Sequence, residues 1–541
     1  MINLKKKHYY ILIGLSTILL TLPWLRGFSG VILFIAFVPL LIIERYLYNS
    51  KKANKSIKSF IYSYITFFIW NFITTYWIYN ATIFGAVAAI VINSLFMATV
   101  FWLFHITHRK LGHRYGYFGL LVYWTAFEYI YLNINFSWPW LNLGNGLAKD
   151  IGLIQWYEFT GATSGTPWIL LINILIFLII LEYIEKQTIR KKVFELVIVL
   201  VLIIFPVIYS LIRFYNYTEP KNPYEIVVLQ PNIDPYNEKF SGLSNYEQLS
   251  IILNLADSLT KTETDYVVGP ETAIDDNIWE NNLGNNPSVK RVQEFIIRYP
   301  NTKFIIGMTS LYHYSDTEKP PLTARKFTDK NAWYDVFNAS MQIDTSNNIQ
   351  VYHKSKLVIG VEQMPFPRFF KSLEKFVINL GGTTGGYGIQ KERTTLNEPG
   401  GNGKVGTMIC YESVYGEFVT DYVKNGANML FVITNDGWWG NTAGYKQHLT
   451  YSSLRAIETR RSIARSANTG ISCFINQKGQ ILQPTLWWKK DAIKATINTN
   501  DKQTYYVKHG DFISRIALFF GIITLLYTLV AILMTRKQEK N

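Results

Sequence analysis

Three residues of types used in covalent catalysis stand near the ends of predicted β-strands. Cys410, Glu271 and Lys354 each follow a short apolar run by no more than three residues. A strand fixes the backbone, and the turn after it exposes the side chain. A thiol is mostly protonated at neutral pH, so Cys410 needs a base, which Glu271 offers, and a cation, which Lys354 offers. The combination predicts carbon–nitrogen or acyl-transfer chemistry through a thioester.

Two further carboxylates lie close to these residues in the chain. Glu362 comes eight positions after Lys354, and Glu412 comes two after Cys410. A carboxylate beside the lysine keeps it charged and oriented. His448 falls on a predicted helix and is interpreted as a hydrogen-bonded structural residue, which leaves a Cys-His protease arrangement without its base.

The chain offers little for metal or nucleotide binding. Its only cysteines, Cys410 and Cys473, make neither a disulfide framework nor a zinc site. The glycine-rich stretch 381–386 lacks the Gly-Lys-Ser/Thr of a phosphate-binding loop. We therefore predict that the chemistry uses no metal and no cofactor.

The elements that must position these side chains alternate between strands and helices across residues 216–508. This alternation predicts a layered α/β domain with helices packed on sheet faces. The predicted strands are 226–229, 266–268, 304–307, 340–343, 349–353, 405–409, 429–434, 471–475 and 495–497, and the predicted helices are 243–262, 288–298, 413–425 and 446–467.

The chain as a whole has the composition of a protein that lies partly in a bilayer. Hydrophobic residues make up 49% of the 541 residues and charged residues only 17%. The net charge of +15 does not predict nucleic-acid binding, because much of it lies in short connections between apolar runs, where it orients membrane helices. Eight apolar segments are long enough to cross a bilayer. They are 8–25, 28–48, 57–80, 83–107, 116–134, 163–183, 193–214 and 511–535.

Basic residues occupy every second connection between these segments. The positive-inside rule then places both termini in the cytoplasm and residues 216–508 outside. We predict membrane helices 1–7 in residues 1–215, an extracytoplasmic catalytic domain in 216–508, and helix 8 with a cytoplasmic tail in 509–541. The outer loop 134–162 is rich in tryptophan, which indicates either an interfacial aromatic belt or the floor of a lipid-binding site.

Several motifs together carry a resemblance to a known family. Pro270-Glu271, Tyr352-His353-Lys354 and Cys410-Tyr411-Glu412-Ser413 resemble the Glu-Lys-Cys triad of the nitrilase superfamily. Eight predicted spans, with this domain inserted before the last, are similar to the apolipoprotein N-acyltransferase family. Further matching stretches are 137–141, 230–233, 337–340, 354–358, 435–440 and 447–456.

The resemblance implies a fold and a set of site residues. The fold is a nitrilase-like α-β-β-α sandwich carried on an eight-helix transmembrane bundle. The implied catalytic residues are Glu271, Lys354 and Cys410. The implied supporting residues are Glu362, Tyr411, Glu412 and Asn338, and the implied substrate contacts are Trp438, Trp439, Trp140 and Phe240. Phe240 stands where the family usually has tryptophan, and residues 359–361 depart from the usual Pro-Phe-Gly before the second glutamate.

The resemblance also implies the reaction and its partners. The Cys410 thiolate takes an acyl chain from a phospholipid, expected to be phosphatidylethanolamine, and passes it to the α-amine of a diacylglyceryl-cysteine on an apolipoprotein. The implied location is the bacterial cytoplasmic membrane, with the catalytic domain on the outer face and the protein a monomer. The apolar stretch 364–380 is either a lid over the outer leaflet or part of the domain core.

Two rival functions stay open at this point. A membrane-tethered amidase of the nitrilase type shares the triad but uses water as its second nucleophile, and it leaves the eight spans unexplained. The second rival is a transporter or scaffold whose outer domain binds but does not catalyse a reaction. Against it, the apolar runs contain no charge pairs or Gly/Pro breaks arranged as a transport path.

Overall fold

A computed structural model describes residues 5–50, 54–186, 192–239, 242–315, 317–346, 348–363 and 386–538. The chain divides into two compact units. The first consists of Met1–Tyr76, Ala86–Asn216 and His509–Asn541, and the second of Trp77–Gly85 and Tyr217–Lys508. Trp77–Gly85 thus belongs to the second unit, although it falls within the predicted membrane part, 1–215.

The first unit is helical. Helices occupy all eight predicted membrane segments, with bounds Lys6–Thr21, Val38–Asn49 (preceded by a 3-10 helix, Gly30–Ile35), Lys55–Thr75, Ile83–Leu111, His113–Asn133, Gly165–Lys186, Val193–Asn216 and Phe512–Gln538. Within the described residues, five helices are long and apolar enough to cross a membrane. They are Gly30–Asn49, Ile83–Leu111, Ala162–Glu185, Val193–Asn216 and Phe512–Thr535. Lys6–Thr21 is shorter, and Lys55–Thr75 and His113–Asn133 are more polar.

The second unit contains two mixed β-sheets. In chain order its strands are β1 (Pro223–Gln230), β2 (Tyr266–Val268), β3 (Ile274–Trp279), β4 (Lys303–Tyr314), β5 (Arg325–Lys326), β6 (Trp333–Ile343), β7 (Gln350–His353), β8 (Leu396–Asn397), β9 (Lys404–Ile409), β10 (Met429–Thr434), β11 (Ile463–Ala467), β12 (Cys473–Ile475), β13 (Ile481–Leu482) and β14 (Asp491–Asn498). One sheet has the order β14-β1-β2-β4-β6-β5, with β3 on β4 and β7 on β6. The other has the order β13-β12-β11-β10-β9-β8.

Side-chain alternation along β1 shows how the layers pack. Ile226 and Val228 face the core between the two sheets, while Val227 and Leu229 face the core under the helices. Helices Asn245–Leu259 and Pro287–Arg298 fill that outer core. Helices Gly416–Lys424 and Ala443–Thr459 pack with the other sheet, which gives an α-β-β-α arrangement. A short helix, Tyr505–His509, ends the unit.

One predicted element is wrong. The helix predicted over 446–467 ends at Thr459, because Arg460 adopts the left-handed conformation with φ of 51°. Residues Ile463–Ala467 instead form β11, which is fully buried and pairs in parallel with β10. This strand reads Ile-Ala-Arg-Ser-Ala, so it has neither the continuous apolar run nor the strict alternation that marks a strand in sequence.

Candidate active site

Three strand ends bring the predicted catalytic residues into one site. Glu271 follows β2 through Gly269-Pro270, Lys354 follows β7, and Cys410 follows β9. The Glu271 turn lies against β4 at Gly307, where an added Cβ would come 2.7 Å from the Glu271 Cα. Only glycine permits so close a backbone approach, so Gly307 helps to set where Glu271 lies.

Four of the predicted site residues form one buried hydrogen-bonded cluster. Lys354 Nζ donates to Oε1 of Glu271 at 2.9 Å and to Oε1 of Glu362 at 2.8 Å. The Asn338 amide donates to the same two oxygens, at 2.8 and 2.9 Å. Lys354 also donates its backbone N–H to the Asn338 carbonyl, which joins β7 to β6 at this point.

This cluster leaves one proton acceptor and one donor for chemistry. Both hydrogen bonds to Glu271 use Oε1, and Oε2 accepts none from the described residues, so it can take a proton. An ammonium has three N–H donors, and Lys354 uses two of them on carboxylates. Burial opposes its charge, but Glu271 and Glu362 raise the pKa of Lys354 well above its usual value. The third N–H is therefore a permanently charged donor for an oxyanion.

Cys410 is held in a strained backbone conformation. Its φ is +50°, which is uncommon for a residue with a Cβ. The side chain is 8% exposed and lies close enough to Glu271 and Lys354 for both to act on its charge. Burial and then Glu271 raise the pKa of the thiol well above its usual value, against the lowering effect of Lys354. The resting thiol is thus protonated, and its proton must leave during attack.

Glu412 ties the lysine strand to the cysteine strand. Its Oε1 accepts from the Ser355 backbone N–H and from the Tyr352 hydroxyl, both at 2.7 Å. Its Oε2 accepts from the Ile409 N–H at 2.8 Å and the Tyr422 hydroxyl at 3.0 Å. Ser355 follows Lys354, and Ile409 precedes Cys410, so one fully buried carboxylate fixes the distance between the two strand ends.

Comparisons with known proteins place this site in a family. Residues 230–506 match the family model for carbon-nitrogen hydrolases, and residues 16–175 match the model for the apolipoprotein N-acyltransferase N-terminal domain. A protein of Chlorobaculum tepidum named apolipoprotein N-acyltransferase is 30% identical over 469 residues, which cover 84% of this chain and 85% of the relative. The chain belongs to the apolipoprotein N-acyltransferase family.

A second relative and a solved structure also match the chain, over different shares of its length. An apolipoprotein N-acyltransferase of Geobacter metallireducens is 25% identical over 93% of this chain and 92% of its own length. XC1258 from Xanthomonas campestris, a CN-hydrolase superfamily protein of known crystal structure, covers 51% of this chain at 15% identity and a TM-score of 0.35. The relatives confirm the acyltransferase prediction over the tethered amidase and over the binding scaffold.

The backbone of the nucleophile has a further contact in this N-acyltransferase family member. His448 Nε2 donates to the Cys410 carbonyl at 3.1 Å, and the Ser413 hydroxyl donates to the same oxygen at 2.8 Å. His448 Nδ1 lies 3.0 Å from Asp436 Oδ1 and 3.1 Å from Arg465 Nη2. Burial and Arg465 lower the pKa of His448, and Asp436 opposes that shift. His448 lies on a helix and is hydrogen-bonded, and one of its bonds reaches the nucleophile's backbone.

A second buried lysine near the site escaped the sequence patterns. Lys239 Nζ donates to Oγ1 of Thr272 at 2.6 Å, and Thr272 follows Glu271 with φ of 46°. Burial lowers the pKa of Lys239 to about 8, although Asp275 and Glu271 oppose that shift. Lys239 directly precedes Phe240 in the chain. Unlike Glu271, Lys354 and Cys410, it does not follow an apolar strand, so the sequence pattern does not mark it as functional.

The predicted substrate contacts are distributed between the two units. Trp438 and Trp439 are half-buried in the second unit, where Trp439 packs against Trp77 with ring centroids 4.9 Å apart. Trp140 belongs to the first unit, where its ring is fully buried and stacks on Trp138 at 5.1 Å. Phe240 and the predicted lid or core segment 364–380 lie outside the described residues.

Tyr411 is buried next to the nucleophile. Its ring meets that of Tyr415 edge-on at 5.2 Å, and both belong to the turn and helix that follow β9. Within the part of the chain that the structure describes, no group of three or more histidine, cysteine or acidic side chains is arranged to hold a metal ion.

Proposed function

We propose that this chain transfers an acyl chain from a phospholipid, through a thioester on Cys410, to the α-amine of the diacylglyceryl-cysteine of an apolipoprotein. The observation that carries the proposal is the buried carboxylate–ammonium pair of Glu271 and Lys354 beside a protonated thiol. Family membership supplies the reaction class, since the relatives are named apolipoprotein N-acyltransferase.

In the first half-reaction Glu271 Oε2 takes the Cys410 proton as Sγ attacks the ester carbonyl of the phospholipid. The free N–H of Lys354 stabilises the oxyanion. Collapse of the tetrahedral intermediate breaks the ester C–O bond. The departing lysophospholipid oxygen takes the proton from Glu271, and an acyl thioester remains on Cys410.

In the second half-reaction the acceptor amine attacks the thioester carbonyl. Glu271 accepts a proton from the nitrogen as the C–N bond forms, and the C–S bond then breaks. The Cys410 thiolate leaves and takes the proton back from Glu271, which restores the resting state and releases the N-acylated lipoprotein. Glu362 and Asn338 hold Lys354 and Glu271 in place through both steps.

The cellular location and membrane topology of the protein are also proposed. We place the protein in the bacterial cytoplasmic membrane as a monomer, with eight spans, both termini in the cytoplasm and residues 216–508 on the outer face. Helices at all eight positions and basic residues in alternate connections support this topology. Trp438, Trp439, Trp140 and Phe240 are proposed to contact the lipid substrates, with phosphatidylethanolamine as donor.

The first test is the intact mass of detergent-purified protein after incubation with phosphatidylethanolamine, beside a Cys410→Ala control. We expect a mass gain of one acyl chain that hydroxylamine removes and that the control lacks. Addition of a diacylglyceryl-cysteine peptide should then discharge the thioester and produce an N-acylated peptide. Absence of any gain in folded protein would refute lipid acyl donation, and discharge to free fatty acid alone would favour a hydrolase.

A further inference from the structure

The loop between β13 and β14 exposes apolar and basic side chains together. We call residues 483–490 the Trp-Lys loop. Leu486 is 63% exposed, Trp488 is 40% exposed, and the adjacent Lys489 and Lys490 are also exposed. Exposed apolar and basic side chains thus occur together within the five residues from Leu486 to Lys490.

The Trp-Lys loop is rigidly built. The Gln230 side chain, itself fully buried, donates to the carbonyls of Leu486 and Lys489, both at 2.8 Å. Thr485 donates to Gln230 Oε1 at 2.7 Å, and its backbone N–H pairs with the Ser472 carbonyl. The backbone is therefore fixed from within, and the exposed side chains are held outward rather than fluctuating there.

Two residues of the loop are in the left-handed region although neither is glycine. Gln483 has φ of 48° and Trp488 has φ of 58°. Positive φ is uncommon for residues with a Cβ, so the surrounding structure must hold these two positions in place.

Contacts within the second unit connect this loop to the start of a candidate membrane span. The Trp487 ring stacks on Tyr445 at 4.0 Å, and the adjacent Gly444 lies directly under the Trp77 ring. Trp77 is six residues before Ile83, where the apolar helix Ile83–Leu111 begins. Six residues span at most about 20 Å, so the Trp77 backbone lies within about 20 Å of the first residue of that helix.

We propose that the Trp-Lys loop docks on the headgroup region of a bilayer that contains anionic phospholipid. Trp488 and Leu486 insert among the headgroups, as aromatic and apolar side chains do at membrane interfaces. Lys489 and Lys490 pair with lipid phosphates and are attracted by negative surface charge. The proposal concerns how the catalytic domain is held at the membrane surface and does not depend on the chemistry of Cys410.

A site-specific fluorophore tests this docking. Leu486→Cys is made in a Cys410→Ala background and labelled with an environment-sensitive dye in nanodiscs of phosphatidylethanolamine and phosphatidylglycerol. The matched control is Ile297→Cys, because Ile297 is also apolar, is 74% exposed and precedes an arginine already paired with Asp257. Lipids with a nitroxide on the headgroup then report proximity by quenching.

We expect at least twofold more quenching at position 486 than at 297, with blue-shifted emission at 486. Reversal of both lysines, as K489E with K490E, should reduce the quenching at 486 by half or more. Equal quenching at 486 and 297, or quenching at 486 that is unchanged by the lysine reversal, would overturn the proposal. If Leu486→Cys does not fold, Trp488→Cys carries the same comparison.

Discussion

The carboxylate of Glu412 offers the sharpest test of how the site is held together. Glutamine in its place keeps the shape but presents one oxygen and one NH2 group to four donors. Two donors therefore lose their acceptor. A hydrogen bond to a charged group contributes roughly 1.5–3 kcal/mol, so Glu412→Gln should cost about 3–6 kcal/mol in local stability.

Part of that free-energy cost should appear as slower acylation, because the same hydrogen bonds set the distance between Lys354 and Cys410. If half of this free energy raises the activation barrier, acylation slows by about 10- to 100-fold, since each 1.36 kcal/mol is a factor of ten in rate. The assay is the single-turnover rate of acyl-enzyme formation by intact mass, beside the melting temperature. Tyr422→Phe removes one donor but leaves both backbone N–H groups paired, so it should slow acylation less than fivefold.

The exposed Glu392→Gln is the neutral control and should match the wild type in both measurements. Acylation by Glu412→Gln at the wild-type rate would refute the idea that this carboxylate sets the spacing of the two strand ends.

Three other predictions follow from the buried ionisable groups. Because burial and Glu271 raise the pKa of Cys410 well above its usual value, its alkylation by iodoacetamide should rise about tenfold per pH unit from pH 7 to 9, and a plateau below pH 9 would contradict this. Lys239 has a folded pKa of about 8 against about 10.4 unfolded, so the unfolded state binds more protons between these values. The melting temperature of the wild type relative to Lys239→Met should therefore rise from pH 8 to 10, and a constant difference would exclude this. His448→Ala removes a donor to the Cys410 carbonyl, so acylation should slow about fivefold at an unchanged half-saturating phospholipid concentration. An unaltered rate would show that the carbonyl needs no such donor.

The parts of the fold that follow from local pattern were predictable from the sequence. The strands Tyr266–Val268 and Met429–Thr434 match their predicted bounds, because each is a continuous apolar run ended by a turn or polar residue. The same reasoning marks the chain positions of Glu271 and Cys410, since a strand end is a local feature. The bonds that join these positions depend on sheet order, which no single segment encodes.

The residues that pattern reasoning misses are those whose role comes from a distant partner. Lys239 lies in a turn and is defined by its bond to Thr272, 33 positions away. His448 sits on a predicted helix, and only the packing of that helix behind β9 brings it to the Cys410 carbonyl. The helix predicted through 467 fails for a related reason. The left-handed turn at Arg460 and the pairing of β11 with β10 depend on tertiary contacts that the local sequence does not encode.

The membership of Trp77–Gly85 in the second unit bears on how this enzyme can be dissected. A soluble fragment cut at Tyr217 and Lys508 would omit Trp77, whose ring covers Gly444 and packs on Trp439. It would also omit Asn80, which donates to the Trp439 carbonyl at 2.8 Å. Such a fragment would expose an apolar face next to the helix that carries His448. An autonomous catalytic domain must therefore carry a grafted copy of the 77–85 segment or a redesigned surface in its place.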